Sequence, residues 1–366
     1  MLTKDFYFDL PEHLIAQYPS KVRGEDKLMV LNKADGKIFH RAIADLPDLI
    51  EKGSLMVFNN SKVRPSRCYA SKIGSASLKP VEFLLLDKIE QSEGGGCAAV
   101  TGERWRAMVK NAKKHKAGSR YLFADGTVGT IVECAEDEKT EFRTLEFARS
   151  GTAELANPSA LDEAWFEKNG RMPLPPYIKR RATEEDASRY QTVYAQVPGS
   201  AACPTAGLHF TEALLERLNR RGIETCTLTL HVGLGTFLPV RTEHIEAHVM
   251  HREVYSVPEK TAEAVNRAKK EGRPVIAVGT TAVRTLESAW KDGALQSGSA
   301  STDIFLYPGC TFYAADRLIT NFHTPESTLL MLVCAFAGKE HILNAYKQAV
   351  DASYRFFSYG DAMYIC

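Results

Sequence analysis

The chain is short of the features that would identify it at a glance. Its 366 residues carry 46 Lys and Arg against 45 Asp and Glu, a formal charge of +1, so no field of one sign covers it. Any contact with a polyanion must run through local patches. No C-x-x-C pair occurs among its eight cysteines (68, 97, 134, 203, 226, 310, 334 and 366), and several lie in apolar runs such as Met331-Leu332-Val333-Cys334. That spacing excludes a zinc ribbon or a disulfide framework and indicates free thiols in a reducing compartment. The longest apolar run, Leu329 to Ala337, is far too short for a membrane span. Lys4, Asp5, Asp9 and Glu12 interrupt the start, where a signal peptide needs an apolar stretch. A cytoplasmic protein without membrane association is expected.

What is present is an ordinary globular composition, 44% hydrophobic and 25% charged, in a chain long enough for one large and one smaller core. Residues 1 to 65 combine a short helix, Pro11 to Gln17, with strands at Lys27 to Asn32 and Ser54 to Asn59. From 66 to 155 short β-type runs follow one another (Val81 to Asp87, Trp105 to Val109, Arg120 to Phe123, Val128 to Cys134, Arg143 to Phe147), separated by turn signals such as Asp125-Gly126. Gly94-Gly95-Gly96 reads as a loop tip within them.

After 155 helices of ten or more residues alternate with strands. The pattern places helices at Ala160 to Asn169, Thr211 to Arg221, Glu259 to Glu271, Thr281 to Trp290, Pro325 to Ala337 and His341 to Tyr354. Strands fall at Thr225 to Val232, Pro274 to Val278, Ile304 to Tyr307 and Arg317 to Asn321. Thr324 as cap and Pro325 in the first turn open the apolar helix, and Gly338 closes it. The fold expected is an α/β main domain with a largely parallel sheet (residues 1–65 and 156–366), interrupted by a small inserted antiparallel β-barrel domain (66–155).

Chemistry is concentrated where strands end. Pro204-Thr205-Ala206-Gly207-Leu208-His209-Phe210 precedes a helix; its small residues permit close backbone approach to a ligand, and His209 can move a proton near neutrality. A loop with a satisfied histidine is the plainer alternative. His231-Val232-Gly233-Leu234-Gly235-Thr236-Phe237 follows an alternating strand, but it lacks the third glycine and the helix of a dinucleotide fingerprint. Gly279-Thr280-Thr281-Ala282-Val283-Arg284-Thr285-Leu286-Glu287 is a strand-to-helix junction with free N–H groups and hydroxyls, suited to an anion. Arg284 and Glu287 either pair on the helix surface or grip the two ends of an amino acid zwitterion.

Asn321-Phe322-His323-Thr324-Pro325-Glu326-Ser327-Thr328 repeats the strand-end design, and Arg355-Phe356-Phe357-Ser358-Tyr359-Gly360-Asp361-Ala362-Met363 closes the chain with aromatics and a carboxylate. Taken together these segments suggest a composite cleft for small-molecule group transfer. Two rival features stand beside them. His244, His248 and His251 with Glu253 could ligate zinc if helical, without the H-E-x-x-H order. Lys110, Lys113, Lys114, His115 and Lys116 form a basic run that either meets phosphates or is a solvated hairpin.

The motifs PTAGLHF (204–210), HVGLGTF (231–237), GTTAVRTLES (279–288), ITNFHTPESTLLMLV (319–333) and YRFFSYGDAM (354–363) closely resemble the S-adenosylmethionine:tRNA ribosyltransferase-isomerase family of queuosine biosynthesis. The resemblance also takes in Phe8-Asp9-Leu10-Pro11, Leu14-Ile15-Ala16-Gln17, Asn59-Asn60-Ser61-Lys62-Val63 and Arg189-Tyr190-Gln191-Thr192-Val193-Tyr194-Ala195. It implies transfer and isomerisation of the ribosyl moiety of S-adenosylmethionine onto aminomethyl-deazaguanine at the tRNA wobble position, giving epoxyqueuosine with release of adenine and methionine. It implies no metal and no cofactor beyond the co-substrate S-adenosylmethionine, tRNA as partner, and a monomer.

Within it, His209 and His323 are expected to carry protons. Arg284 and Glu287 would hold the methionine carboxylate and amine, and Thr280 and Thr281 would supply donors. Asp361 would bond a base edge or ribose hydroxyls. Thr205, Gly207, Phe210, His231, Gly233, Gly235, Thr236, Asn321, Ser327 and Tyr359 complete the expected substrate contacts. The chain departs from the usual pattern at Cys203 (usually Ala), at Asn60-Ser61-Lys62 (usually Asp-Thr-Arg or Asp-Thr-Lys) and at Arg64 (usually aliphatic). Thr324 and Glu326 stand where Leu and Lys are usual.

Overall fold

A computed structural model describes the chain apart from residues 77–78, 90–101, 135–139, 149–160 and 234–239. Gly94-Gly95-Gly96, Gly235 and Thr236 therefore lie outside the described residues. The chain divides into two compact units. One comprises Met1–Lys62, Pro175–Arg181 and Ser188–Cys366, the other Val63–Leu174 and Ala182–Ala187.

The first unit is built on a sheet whose strands, in chain order, are β1 (Lys27–Leu31), β2 (Ile38–Ala42), β3 (Leu55–Asn59), β4 (Glu224–Leu230), β5 (Glu253–Val257), β6 (Val275–Val278), β7 (Gly298–Thr302), β8 (Arg317–Asn321) and β9 (Ala362–Ile365). Across the sheet they run β7-β5-β4-β3-β6-β8-β9-β1-β2. The four central strands β4, β3, β6 and β8 are mutually parallel, as are β9 and β1. The pairs β7/β5, β5/β4, β8/β9 and β1/β2 are antiparallel. The sheet is thus mixed, and the parallel arrangement expected of the whole describes its centre.

Two of the central strands, β3 and β6, are continuous apolar runs. Leu55-Met56-Val57-Phe58 and Val275-Ile276-Ala277-Val278 are buried throughout, as a strand covered on both faces requires. Alternate side chains serve opposite cores. Leu55, Val57, Val275 and Ala277 pack with α2 (Glu259–Lys270), α3 (Thr280–Ala289), α4 (Thr328–Ala337) and α5 (Lys339–Asp351). Met56, Phe58, Ile276 and Val278 pack with Leu214 and Leu218 of α1 (Glu212–Arg220).

Some local expectations are corrected. The Pro11 helix is only a 3₁₀ turn, Glu12–Leu14. Ile304 to Tyr307 is not a strand: Thr302 Oγ1 accepts the Ile304 N–H at 3.0 Å and the chain turns back at Tyr307, whose carbonyl accepts from Cys310. Helix α4 begins three residues later than expected, because Glu326 has φ +58°, outside helical space, and Ser327 rather than Thr324 caps it by accepting the Leu330 N–H at 3.2 Å.

The second unit is a closed antiparallel barrel. Its strands run Arg67–Lys72, Val81–Ile89, Gly102–Val109, Phe142–Ala148, Val128–Val132 and Arg120–Phe123, and the last pairs back with the first through Ala70↔Phe123 and Lys72↔Tyr121. Phe83, Trp105, Tyr121, Phe123, Phe147, Trp165 and Phe166 fill it. Trp165 and Phe166 come from the helix Glu163–Asn169, capped by Asp162. The basic run is solvated: Lys110, Lys113, Lys114 and Lys116 are exposed, while His115 Nδ1 bonds the Tyr121 hydroxyl at 2.7 Å.

In the first unit one amide fixes where the central strands end. Asn59, fully buried at the end of β3, donates through Nδ2 to the Leu230 carbonyl (3.0 Å) and to Thr281 Oγ1 (3.2 Å). Its Oδ1 accepts the N–H groups of Leu230 (3.0 Å) and Ser61 (3.1 Å). Asn59→Ala is expected to lower stability by about 3 kcal/mol or more in urea unfolding, since several buried groups lose partners at about 1–3 kcal/mol each. A loss under about 1 kcal/mol would show that the amide is not the clamp.

Candidate active site

The carboxyl ends of β4, β6 and β8 open into a cleft with a cavity volume of about 290 Å³, near the lower end of small-molecule sites. Such strand ends are where open α/β sheets bind ligands. Four stretches line it: Ala202–Ala206, Gly279–Thr281, Thr320–Ser327 and Phe357–Ser358, with Val232 and Val240 at its side. Among the predicted residues, Thr205, Thr280, Thr281, Asn321, His323 and Ser327 are brought together here.

Each stretch is held for a physical reason. Gly279 has φ +90°, a conformation that glycine adopts freely, and it turns β6 into α3. The N–H groups of Thr280 and Thr281 are then left without intrahelical acceptors, at the positive end of the helix. Two further wall residues sit in left-handed backbone without being glycine, Glu326 (φ +58°) and Phe357 (φ +72°). Each such position costs on the order of 1–3 kcal/mol and marks a segment held by its surroundings. Here the Glu326 N–H is held by the Phe6 carbonyl at 3.1 Å, and the Phe357 N–H by the Phe322 carbonyl at 3.0 Å.

His323 is the titratable ring in the cleft. Burial pushes its pKa down to about 3, so it is neutral at physiological pH. Its Nε2 bonds Thr320 Oγ1 at 2.9 Å, and its backbone N–H donates to the Tyr346 hydroxyl at 3.0 Å. Asn321, 2% exposed, donates through Nδ2 to the Phe357 carbonyl at 3.0 Å, while its Oδ1 has no partner. Tyr177 and Ser358 join their hydroxyls at the opposite wall.

Other predicted residues lie elsewhere. His209 is buried beside a second cavity, of about 20 Å³, that Tyr359, Arg23 and Arg189 also line and that Ser358 shares with the cleft. Its Nδ1 bonds Asp26 Oδ2 at 2.7 Å, and its Nε2 is buried without a partner. Asp26 in turn accepts from Arg355 at 2.8 Å and from Ser20. Burial alone would raise the Asp26 pKa, but the bonds and charges of His209, Ser20 and Arg355 outweigh it and hold the carboxyl below its ordinary range.

Asp361, 2% exposed, accepts the backbone N–H groups of Lys27 (3.1 Å) and Arg355 (2.7 Å). It holds the chain together rather than facing a ligand. Phe210 is core, edge-on to Phe58. Gly207 is packed so tightly that a Cβ would come within 2.0 Å of the Tyr194 hydroxyl. The ring of His231 covers Gly199.

The expected Arg284–Glu287 clamp does not exist. Glu287 accepts the N–H groups of Tyr313, Ala314 and Ala315 at 2.9–3.1 Å. Arg284 is buried and ion-paired with buried Glu253, leaving its Nε and Nη2 without partners. The other oxygen of Glu253 accepts the Gly233 N–H at 2.8 Å. This commitment of Glu253 also undoes the zinc alternative: Ile245–Ala247 is a single 3₁₀ turn, and no group of three metal-ligating side chains forms among the described residues. No helix among them is long and apolar enough to cross a membrane.

An α/β protein with a polar ligand cleft at the ends of parallel strands, floored by a helix start and a neutral buried histidine, is the class that this architecture defines. The chain matches the family described as "Queuosine biosynthesis protein" over residues 3–365. It is 53% identical to the S-adenosylmethionine:tRNA ribosyltransferase-isomerase of Treponema denticola and 46% identical to that of a Thermoanaerobacter species, with 100% of each chain covered. The crystal structure of S-adenosylmethionine tRNA ribosyltransferase from Thermotoga maritima, 32% identical, covers 99% of this chain and 100% of its own with a TM-score of 0.54. The chain belongs to the queuosine biosynthesis protein family.

Two predictions follow from the buried charges. Glu253→Ala should cost about 3–5 kcal/mol by stranding Arg284, and Glu253→Leu with Arg284→Met should recover most of it; equal losses in the single and double variants would contradict this. Because the folded-state pKa of Asp26 is depressed, its contribution is present above the unfolded carboxyl value of about 3.9 and is lost as pH falls below it. The stability gap to Asp26→Asn should therefore begin to close as pH falls through about 4 and go on closing toward the lower folded-state value, and a gap that widens on acidification would contradict the assignment.

Proposed function

We propose that the protein transfers and isomerises the ribosyl moiety of S-adenosylmethionine onto aminomethyl-deazaguanine at the tRNA wobble position, giving epoxyqueuosine and releasing adenine and methionine. The observation that carries this reading is the convergence of four family motifs on one cleft in a chain that aligns end to end with ribosyltransferase-isomerases. The reaction as proposed uses no metal and no cofactor beyond the donor, and the enzyme works as a cytoplasmic monomer.

In this account the donor lies in the cleft with its carboxylate at the start of α3, where the Thr280 and Thr281 N–H groups and hydroxyls receive it. The sulfonium acidifies the adjacent ribosyl carbon. A base removes that proton, adenine leaves, the substrate amine adds, and the epoxide closes as methionine departs. His323 is the proton carrier: it is neutral at working pH, and with Nε2 held by Thr320 the exchange falls to Nδ1. His209 is a positioning residue in this account. Locked to Asp26, it ends the Thr205–His209 turn, whose first residues line the cleft.

The test is adenine release from S-adenosylmethionine in the presence of tRNA carrying the precursor base. Binding without release would reduce the chain to an RNA-binding module. His323→Ala should lower turnover by about a hundredfold or more, the usual size of a general acid–base effect, without loss of cooperative unfolding. His209→Asn should retain more turnover than His323→Ala, and near-parental activity in His323→Ala would remove that histidine from the mechanism.

A further inference from the structure

Among the described residues lining the cleft, Glu326 supplies the one carboxylate, and no Lys or Arg stands with it. It is half-buried, and among the described residues none pairs with its carboxylate or hydrogen-bonds to it. Its left-handed backbone, tied through its N–H to the Phe6 carbonyl, places it in the cleft wall instead of in the helix that follows. Five residues earlier, Asn321 presents a second acceptor. Its Nδ2 is locked to the Phe357 carbonyl, which fixes the amide orientation and leaves the buried Oδ1 unpartnered. A buried acceptor without a donor costs free energy that a ligand N–H would return.

We infer that Glu326 and Asn321 form a charge-reading pair: the Glu326 carboxylate selects a donor bearing a positive sulfonium over its neutral thioether counterpart, and Asn321 Oδ1 accepts an N–H common to both. The inference rests on S-adenosylmethionine being the cleft's ligand. The start of α3, which also lines the cleft, favours the donor's carboxylate. A carboxylate at Glu326 therefore separates the two charged groups of one zwitterionic, cationic molecule onto complementary walls. The plainer role for Glu326, favourable placement ahead of the α4 N-terminus, would affect stability and not ligand choice.

Calorimetric titration of the full chain with S-adenosylmethionine and with the neutral thioether S-adenosylhomocysteine tests this. The parent should prefer the sulfonium by about fivefold to tenfold, the size of one charge pair in a half-exposed site. Glu326→Gln should abolish that preference while leaving thioether affinity and Tm unchanged, and Glu326→Lys should reverse it. Asn321→Ala should weaken both ligands to the same degree. A sulfonium preference that survives in Glu326→Gln overturns the inference, as does an Asn321→Ala variant that binds both ligands as the parent does. If the parent binds neither nucleoside, it is the donor reading itself that fails.

Discussion

The side chain of Asn59 has all its hydrogen-bonding capacity committed inside the molecule, to both backbone groups of Leu230, to the Ser61 N–H and to Thr281 Oγ1. A fully buried amide tolerates no other arrangement, because each lost partner leaves a dry polar group. The end of β3 is therefore fixed against the end of β4 and against the start of α3. These are the places from which Val232 and Thr280–Thr281 reach the cleft. The geometry of the proposed donor site is in this sense a consequence of one residue's satisfaction.

Behind the walls, charged groups hold the framework and do not reach the ligand. Arg284 and Glu253 join α3 to β5 and to the root of the Gly233 segment. Asp26 gathers His209, Arg355 and Ser20, while Asp361 ties Arg355 and Lys27 by their backbone. What is left to face the cleft is mostly neutral: hydroxyls, an amide, a histidine held uncharged by burial, and one carboxylate. In such surroundings a single formal charge has more influence than it would in bulk water.

The sequence made the central layer legible because β3 and β6 are apolar runs, β4 alternates Thr with Leu, and long amphipathic helices separate the strands. The strands β2 and β7 escaped it because they are short and mostly exposed, the latter reading Gly298-Ser299-Ala300-Ser301-Thr302. The motif segments were recognisable as strand ends, and six of the expected contacts do line one cleft. Arg284, Glu287, Asp361 and His209 do not line that cleft, which the sequence does not reveal. Residue type indicates that a group is polar, but not whether its partner is a ligand or a distant piece of chain such as Glu253, Tyr313 or Asp26. No local pattern marks Asp26, whose partners His209 and Arg355 lie 183 and 329 positions away.

The claim on which the account stands is that the donor occupies the cleft at the ends of the parallel strands. Hydrogen–deuterium exchange of the full chain with and without S-adenosylmethionine measures this most directly. The account predicts slowed exchange in residues 203–206, 279–281, 320–327 and 357–358, the four stretches that meet there. Unchanged exchange in those stretches with protection elsewhere, for instance along His244–His251, would contradict it.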